Sequence, residues 1–251
     1  MPEYFFIVGA QRSGTTYLYQ RLADHPEIEM ARPVRPEPKF FLYDHLYKQG
    51  IDFYHQTFFG EHTDGWLWGE KSTSYIESAE VPHRIMRFFP EAKIIMCLRD
   101  PVKRAISNYW FSFNNGLETL PLEQAMYQET QRRENYDHER ISASPYAYIQ
   151  RGHYINYIET YMRYVPRSQI KILIYEQLHQ DPAVMQSLLN FLGVSPLDMP
   201  LRNEEPVVNA SKKQDVILSE EFQQFLRDQF VDSNQHLAAF LDLDLKQWWS
   251  S

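Results

Sequence analysis

Tyr4-Phe5-Phe6-Ile7-Val8 runs directly into Gly9-Ala10-Gln11-Arg12-Ser13-Gly14-Thr15-Thr16. An aromatic and β-branched run followed by G-x-x-x-x-G and two hydroxyl residues reads as a strand, a phosphate-cradling loop and the start of a helix. Nucleotide triphosphatases carry a lysine after the second glycine of this pattern. Here Thr15 stands in that place, and the nearest cation, Arg12, lies inside the loop. Backbone amides and a helix N-terminus still favour an anion, but the group that reaches a terminal phosphate is missing. The loop therefore suits a nucleotide whose reacting group is not a Mg-bound γ-phosphate.

A second strand-to-helix passage lies at Lys93-Ile94-Ile95-Met96-Cys97-Leu98-Arg99-Asp100-Pro101 and continues to Ser107-Asn108-Tyr109. Asp100 suits a helix N-cap and Pro101 the first helical position, where a missing N–H costs nothing. This predicts a second anion site at a helix start. Arg99 offers a planar guanidinium that grips phosphate through two hydrogen bonds, and Ser107 adds a donor from the helix. The bland alternative is a capped helix with a surface salt bridge; the first loop weighs against it.

Further stretches carry the comparison along the chain. They are Glu37-Pro38-Lys39-Phe40-Phe41 with Gly50-Ile51-Asp52-Phe53-Tyr54, Glu70-Lys71-Ser72-Thr73-Ser74-Tyr75, Arg151-Gly152-His153-Tyr154, Ile170 to Tyr175, and Asp181-Pro182 to Phe191-Leu192-Gly193. In this order, over nearly the whole chain, they resemble the sulfotransferases that use 3′-phosphoadenosine 5′-phosphosulfate. The likeness is to the branch that contains the heparan sulfate sulfotransferases and many bacterial relatives. The resemblance implies a P-loop NTPase-like sulfotransferase fold and a co-substrate, 3′-phosphoadenosine 5′-phosphosulfate, used without a metal. It assigns Gln11, Arg12, Ser13, Gly14, Thr15 and Thr16 to the 5′-phosphosulfate, and Arg99 and Ser107 to the 3′-phosphate. Glu37 becomes the general base on the acceptor, and Lys71 lines the reaction centre. Arg12 stands where many relatives carry lysine; a guanidinium stabilises charge but is a poor proton donor, which leaves Lys71 for any protonation. Ser211 and Lys212, in Asn209-Ala210-Ser211-Lys212-Lys213, fall where a loop of the resembling enzymes covers the 3′-phosphate, although the usual Lys-Gly pattern is absent.

The apolar periods predict strands over Tyr4–Val8, Lys93–Leu98 and Ile170–Tyr175, with a weaker one around Trp66–Trp68. Helices are predicted over Thr15–Asp24, Val81–Phe89, Leu122–Gln131, Tyr154–Tyr164, Ala183–Leu192, Glu220–Phe230 and Asn234–Leu241. Continuous apolar strands alternating with helices give an α/β fold, a three-layer sandwich around a central parallel sheet. Met30 to Asp64, rich in Pro, aromatics and His, reads as an irregular excursion forming part of an acceptor cleft, with Tyr43, Phe53 and Tyr54 as candidates to face the acceptor. The 251 residues contain no linker-like tract, so one domain over 1–251 is expected.

Composition bounds the partners. A formal net charge of −8 weighs against nucleic acid and against a long sulfated polymer, though Arg32, Arg35 and Lys39 flank Glu37. No apolar stretch approaches the roughly 18 residues that span a bilayer, and Met1-Pro2-Glu3 lacks a basic signal start. Cys97 is the single cysteine, expected as a buried packer; with the missing signal, this predicts a cytoplasmic protein. The histidines show no metal-binding spacing, and no Gly-x-Ser-x-Gly elbow occurs. His153 is expected to hold its loop. The expected activity is sulfuryl transfer to a hydroxyl or amine of a carbohydrate, glycolipid or small molecule. The rivals are a nucleoside or small-molecule kinase and a non-catalytic nucleotide-binding module, and oligomeric state is open.

Overall fold

The computed structural model describes residues 2–60, 67–137, 141, 143–178, 180–197 and 218–248. In chain order the elements are β1 (Glu3–Gly9), α1 (Thr15–Ala23), β2 (Ile28–Met30), α2 (Asp44–Tyr47), α3 (Ile51–Phe58), β3 (Leu67–Lys71), α4 (Glu80–Phe88) and β4 (Lys93–Leu98). They continue with α5 (Pro101–Asn114), α6 (Leu122–Tyr127), α7 (Glu129–Arg132), α8 (Tyr154–Met162), β5 (Ile170–Ile174), α9 (Tyr175–Leu178), α10 (Pro182–Leu192), α11 (Glu220–Asp228) and α12 (Val231–Leu241). Contacts divide the chain into two compact units, Met1–Leu98 with Thr160–Val208, and Arg99–Glu159 with Asn209–Ser251.

The first unit holds a five-stranded sheet in the order β2-β3-β1-β4-β5. Every pairing is parallel. A wholly parallel sheet must be covered on both faces, and alternate residues of β1 show both covers. Phe5 and Ile7, with Ile95, Cys97 and Leu173, pack beneath Leu18 and Leu22 of α1 and Leu188, Leu189 and Leu192 of α10. Tyr4 and Phe6 face an aromatic layer instead: Tyr4 stacks on Phe89 with centroids 3.7 Å apart, and Phe6 meets Phe41 edge-on at 5.4 Å. Full burial of each such side chain contributes about 1.5–3 kcal/mol. The expected parallel α/β sandwich is therefore present.

Three local expectations change. The excursion from Met30 is not irregular throughout, because Ile51–Phe58 closes into α3 behind Gly50 and buries Tyr54 and Phe58. The predicted helix Leu122–Gln131 breaks at Gln128 into α6 and α7. Strand β2, only three residues long, was not foreseen. It extends the sheet beyond β3 by pairing Ile28 with Leu67.

The second unit is helical. Its core joins Ala105, Tyr109 and Trp110 of α5 to Leu122 and Met126 of α6, Tyr148, Phe222 and Leu226 of α11, and Phe230. Arg104 is fully buried; it donates to Asn108 Oδ1 at 3.1 Å and to the Tyr148 carbonyl. Arg151 donates to the same Asn108 oxygen at 3.2 Å. His153 lies half-buried beside Phe230, centroids 5.3 Å apart, in agreement with a structural role.

Candidate active site

The loop after β1 is shaped by backbone requirements. Ala10 N donates to Cys97 O at 2.8 Å, tying the loop's start to the end of β4. Cys97 is buried as expected, and its Sγ also donates to Ser13 O at 2.8 Å. Arg12 and Gly14 adopt positive φ, +67° and +81°; only glycine takes the left-handed region without steric cost. Gly14 is the residue before α1, no side chain caps that helix, and its first turn contains no acidic residue. The first amides of a helix have no intrahelical partner, and a helix start of this kind favours an anion. Gly9 lies against Ile76: a Cβ at Gly9 would meet Ile76 Cγ2 at 2.6 Å.

A second cluster of the same unit forms where β3 ends. Lys71, its last residue, donates from Nζ to Glu37 Oε1. Thr73 N donates to Glu37 Oε2 at 2.9 Å, and Thr73 Oγ1 lies 3.1 Å from both carboxylate oxygens. The Lys71 side chain is 2 % exposed and that of Glu37 14 %, so the pair is sheltered, the glutamate less completely than the lysine. Pro38 disfavours helix at Glu37, and Phe40 and Phe41, both fully buried, anchor the segment in the aromatic layer. Glu37 thus pairs with Lys71, 34 positions away in the sequence. Lys39 has positive φ, +53°. Burial lowers its pKa, with Glu37 opposing and Lys71 reinforcing the shift.

Beneath this cluster lies Glu70, 1 % exposed. Tyr54 of α3 donates to its Oε2 at 2.8 Å and Ser72 Oγ to its Oε1 at 2.6 Å. Tyr75 bonds to it as well. A carboxylate so enclosed has no face open to an acceptor. Tyr54, fully buried and turned towards Glu70, does not face an acceptor either. Ser72 and Thr73 were not singled out from sequence as site residues; the hydroxyl-rich run after Lys71 was the available signal.

In the second unit, Asp100 caps α5 through Oδ1, accepting from Val102 N at 2.9 Å and Lys103 N at 3.2 Å. The helix amides expected to receive an anion are therefore occupied by the chain's own carboxylate. An anion placed at this corner would meet side chains. Arg99 is half-buried, its carbonyl fixed by the Tyr154 hydroxyl at 2.8 Å, and Ser107 is 6 % exposed. Ser211 and Lys212 lie outside the described residues.

Comparison with known proteins decides the family. A model described as "Sulfotransferase domain" matches residues 2–241. The chain belongs to the sulfotransferase domain family. It is 26 % identical to a sulfotransferase from Alicyclobacillus acidocaldarius of known crystal structure, covering 99 % of this chain and 98 % of that one with a TM-score of 0.78. It is 35 % identical over 208 residues to the bifunctional heparan sulfate N-deacetylase/N-sulfotransferase 3 of Homo sapiens, across 76 % of this chain and 22 % of that protein. Heparan sulfate glucosamine 3-O-sulfotransferase 3A1 of Mus musculus is 31 % identical over 189 residues, across 75 % and 45 % respectively. The chain spans less than half the length of these two curated relatives. Among the described residues no group of His, Cys, Asp and Glu is arranged to hold a metal ion. No described helix is long and apolar enough to cross a membrane.

Proposed function

We propose that this chain transfers the sulfuryl group of 3′-phosphoadenosine 5′-phosphosulfate to a hydroxyl or amine of a carbohydrate or small-molecule acceptor. The observation that carries the reading is Glu37, held by Lys71 and Thr73 and only partly exposed, in the same unit as a phosphate-type loop whose helix has no side-chain cap. The donor supplies an activated sulfuryl group and leaves as adenosine 3′,5′-bisphosphate. The residues present suit it. The uncapped N-terminus of α1 and the positive-φ turn at Gly14 fit the phosphosulfate, with Gln11, Arg12, Ser13, Thr15 and Thr16 around it. Arg99 and Ser107 fit the 3′-phosphate.

Glu37 removes the acceptor proton. Thr73 keeps that carboxylate oriented through two donors, and orientation contributes to rate as well as basicity does. Once Glu37 is neutralised by the proton it takes, the Lys71 ammonium loses its counter-charge and is left to stabilise negative charge developing at the reaction centre. Arg12 serves the same end from the loop. Both an N- and an O-sulfotransferase are among the similar proteins, which supports hydroxyl or amine chemistry without choosing between them. A reducing compartment belongs to the same proposal, supported by the single, buried Cys97.

The test is thermal stabilisation of the full chain by adenosine 3′,5′-bisphosphate against ATP with Mg, followed by transfer of label from ³⁵S-donor to a panel of sugars, aminosugars and phenols. Stabilisation by ATP with Mg alone would favour the kinase reading. Stabilisation by the bisphosphate with no labelled product from any acceptor class would favour a binding module.

A further inference from the structure

We infer that Glu70 is the positioning residue of the base, setting the backbone of the Glu37–Phe41 segment through the hydroxyls of Ser72 and Tyr75. This rests on the reading of Glu37 as base. Ser72 Oγ donates to Glu70 Oε1 at 2.6 Å while accepting Lys39 N at 2.9 Å. The Tyr75 hydroxyl bonds to Glu70 and accepts Phe41 N at 3.0 Å. Each hydroxyl carries one proton. When that proton is directed at the carboxylate, the oxygen lone pairs remain for the amide, so the charge at position 70 dictates which way both hydroxyls point. Two backbone amides, two and four residues beyond Glu37, are thereby held by one buried carboxylate. Tyr54 from α3 supplies the third donor, and Tyr161 fixes Tyr75 by donating to its carbonyl at 2.8 Å.

The arrangement makes positioning sensitive to pH. Three hydroxyl protons fit the ionised carboxylate; a protonated Glu70 brings a fourth proton into the cluster and forces at least one hydroxyl to turn. Burial pushes the Glu70 carboxyl up to about 7, the hydroxyls of Ser72, Tyr75 and Tyr54 oppose this, and the Glu37 charge adds to it. The titratable groups facing Glu70 are Tyr54 of α3, Tyr75 of its own segment, Tyr161 following α8's start, and Glu37. Burial raises all three tyrosines above their ordinary value, so none of these hydroxyls changes charge where Glu70 does. Ionised Glu70 holds the segment; as pH falls through about 7 the hold is lost.

Two readouts on the full chain test this. Amide hydrogen exchange at pH 8 should show protection at Lys39 and Phe41 falling at least tenfold in Glu70→Gln, with β1 and β4 amides unchanged. Unchanged protection at Lys39 and Phe41 would overturn the inference, and this readout needs no activity. In turnover, Glu70→Gln should lower kcat at least tenfold with the KM for donor unchanged, and abolish the acidic limb of the kcat profile near pH 7. Tyr54→Phe removes one donor to the charged form, so it should move that limb to higher pH; it also serves should the glutamine variant fail to fold. A limb that stays in place in Tyr54→Phe would overturn the inference. A parent that transfers no sulfuryl group defeats the reading of the activity instead, and the exchange result still decides the role of Glu70.

Discussion

The two strand-to-helix corners have the same topology and opposite anion chemistry. After β1, the chain reaches α1 through Gly14 in the left-handed region and leaves the helix start uncapped, with no acid in its first turn. After β4, it reaches α5 through Asp100, whose carboxylate takes two of the helix amides, and Pro101, which has no N–H to offer. On the proposed reading, the first corner would meet a charged ligand with backbone, the second with the side chains of Arg99 and Ser107. A helix N-terminus is thus an anion site only when the chain does not supply the anion itself. The difference also predicts which substitutions each corner tolerates: backbone conformation matters at the first, side-chain charge at the second.

The largest expected effect tests whether both corners serve binding alone. Glu37→Gln, which keeps size and removes basicity, should lower turnover by about 10²–10⁴-fold while calorimetric affinity for adenosine 3′,5′-bisphosphate stays the same. Turnover within a few-fold of the parent removes Glu37 as base. Next, Arg99→Ala should weaken the bisphosphate by about 1.5–3 kcal/mol, the size of a charge-assisted hydrogen bond, and leave adenosine 5′-monophosphate nearly untouched. Equal losses for the two nucleotides would erase the side-chain role of the second corner.

Gly14→Ala sharpens the contrast from the other side. Forcing an L-residue into the left-handed region costs about 1–2 kcal/mol, and because both nucleotides carry a 5′-phosphate both should weaken alike. Selective loss of the bisphosphate would contradict the assignment. The smallest effect is expected for Asp100→Ala, which removes an N-cap worth about 1 kcal/mol of stability by denaturant melts. It also frees the amides of Val102 and Lys103, so inorganic phosphate should stabilise this variant more than the parent; equal stabilisation would mean that occupied amides are not what separates the corners.

The sequence disclosed most where structure is local. Strands β1, β4 and β5 are continuous apolar runs, and the first loop follows from glycine spacing, so each was readable within a dozen residues. Helix α3 was missed because its apolar residues, Ile51, Tyr54 and Phe58, were read with the surrounding prolines, histidines and aromatics as one irregular stretch. The burial of Tyr54 depends on aromatic partners outside the helix, Phe40, Phe41 and Phe89. The base cluster was half legible. Glu37 and Lys71 followed from the family resemblance, whereas Thr73 reaches Glu37 across 36 positions and Tyr54 reaches Glu70 across 16, separations at which no spacing rule operates. The occupied amides of α5 were within reach: Asp100 was recognised as a cap, but its consequence for anion binding was not.

Gly9 and Ile76 bear on how this enzyme class can be re-engineered. The bare Cα of Gly9 is the floor on which Ile76 rests, and any side chain there would collide at 2.6 Å. Ile76 ends the hydroxyl-rich run that begins at Glu70, so the nucleotide loop and the base-holding segment share one interlocked joint. A graft that imports a new 70–77 segment to change the acceptor must also import a residue that fits this joint. A bulkier replacement for Ile76 would displace the nucleotide loop before it altered the acceptor. On the proposed reading, donor use and acceptor choice are, at this point of the chain, inherited as one block.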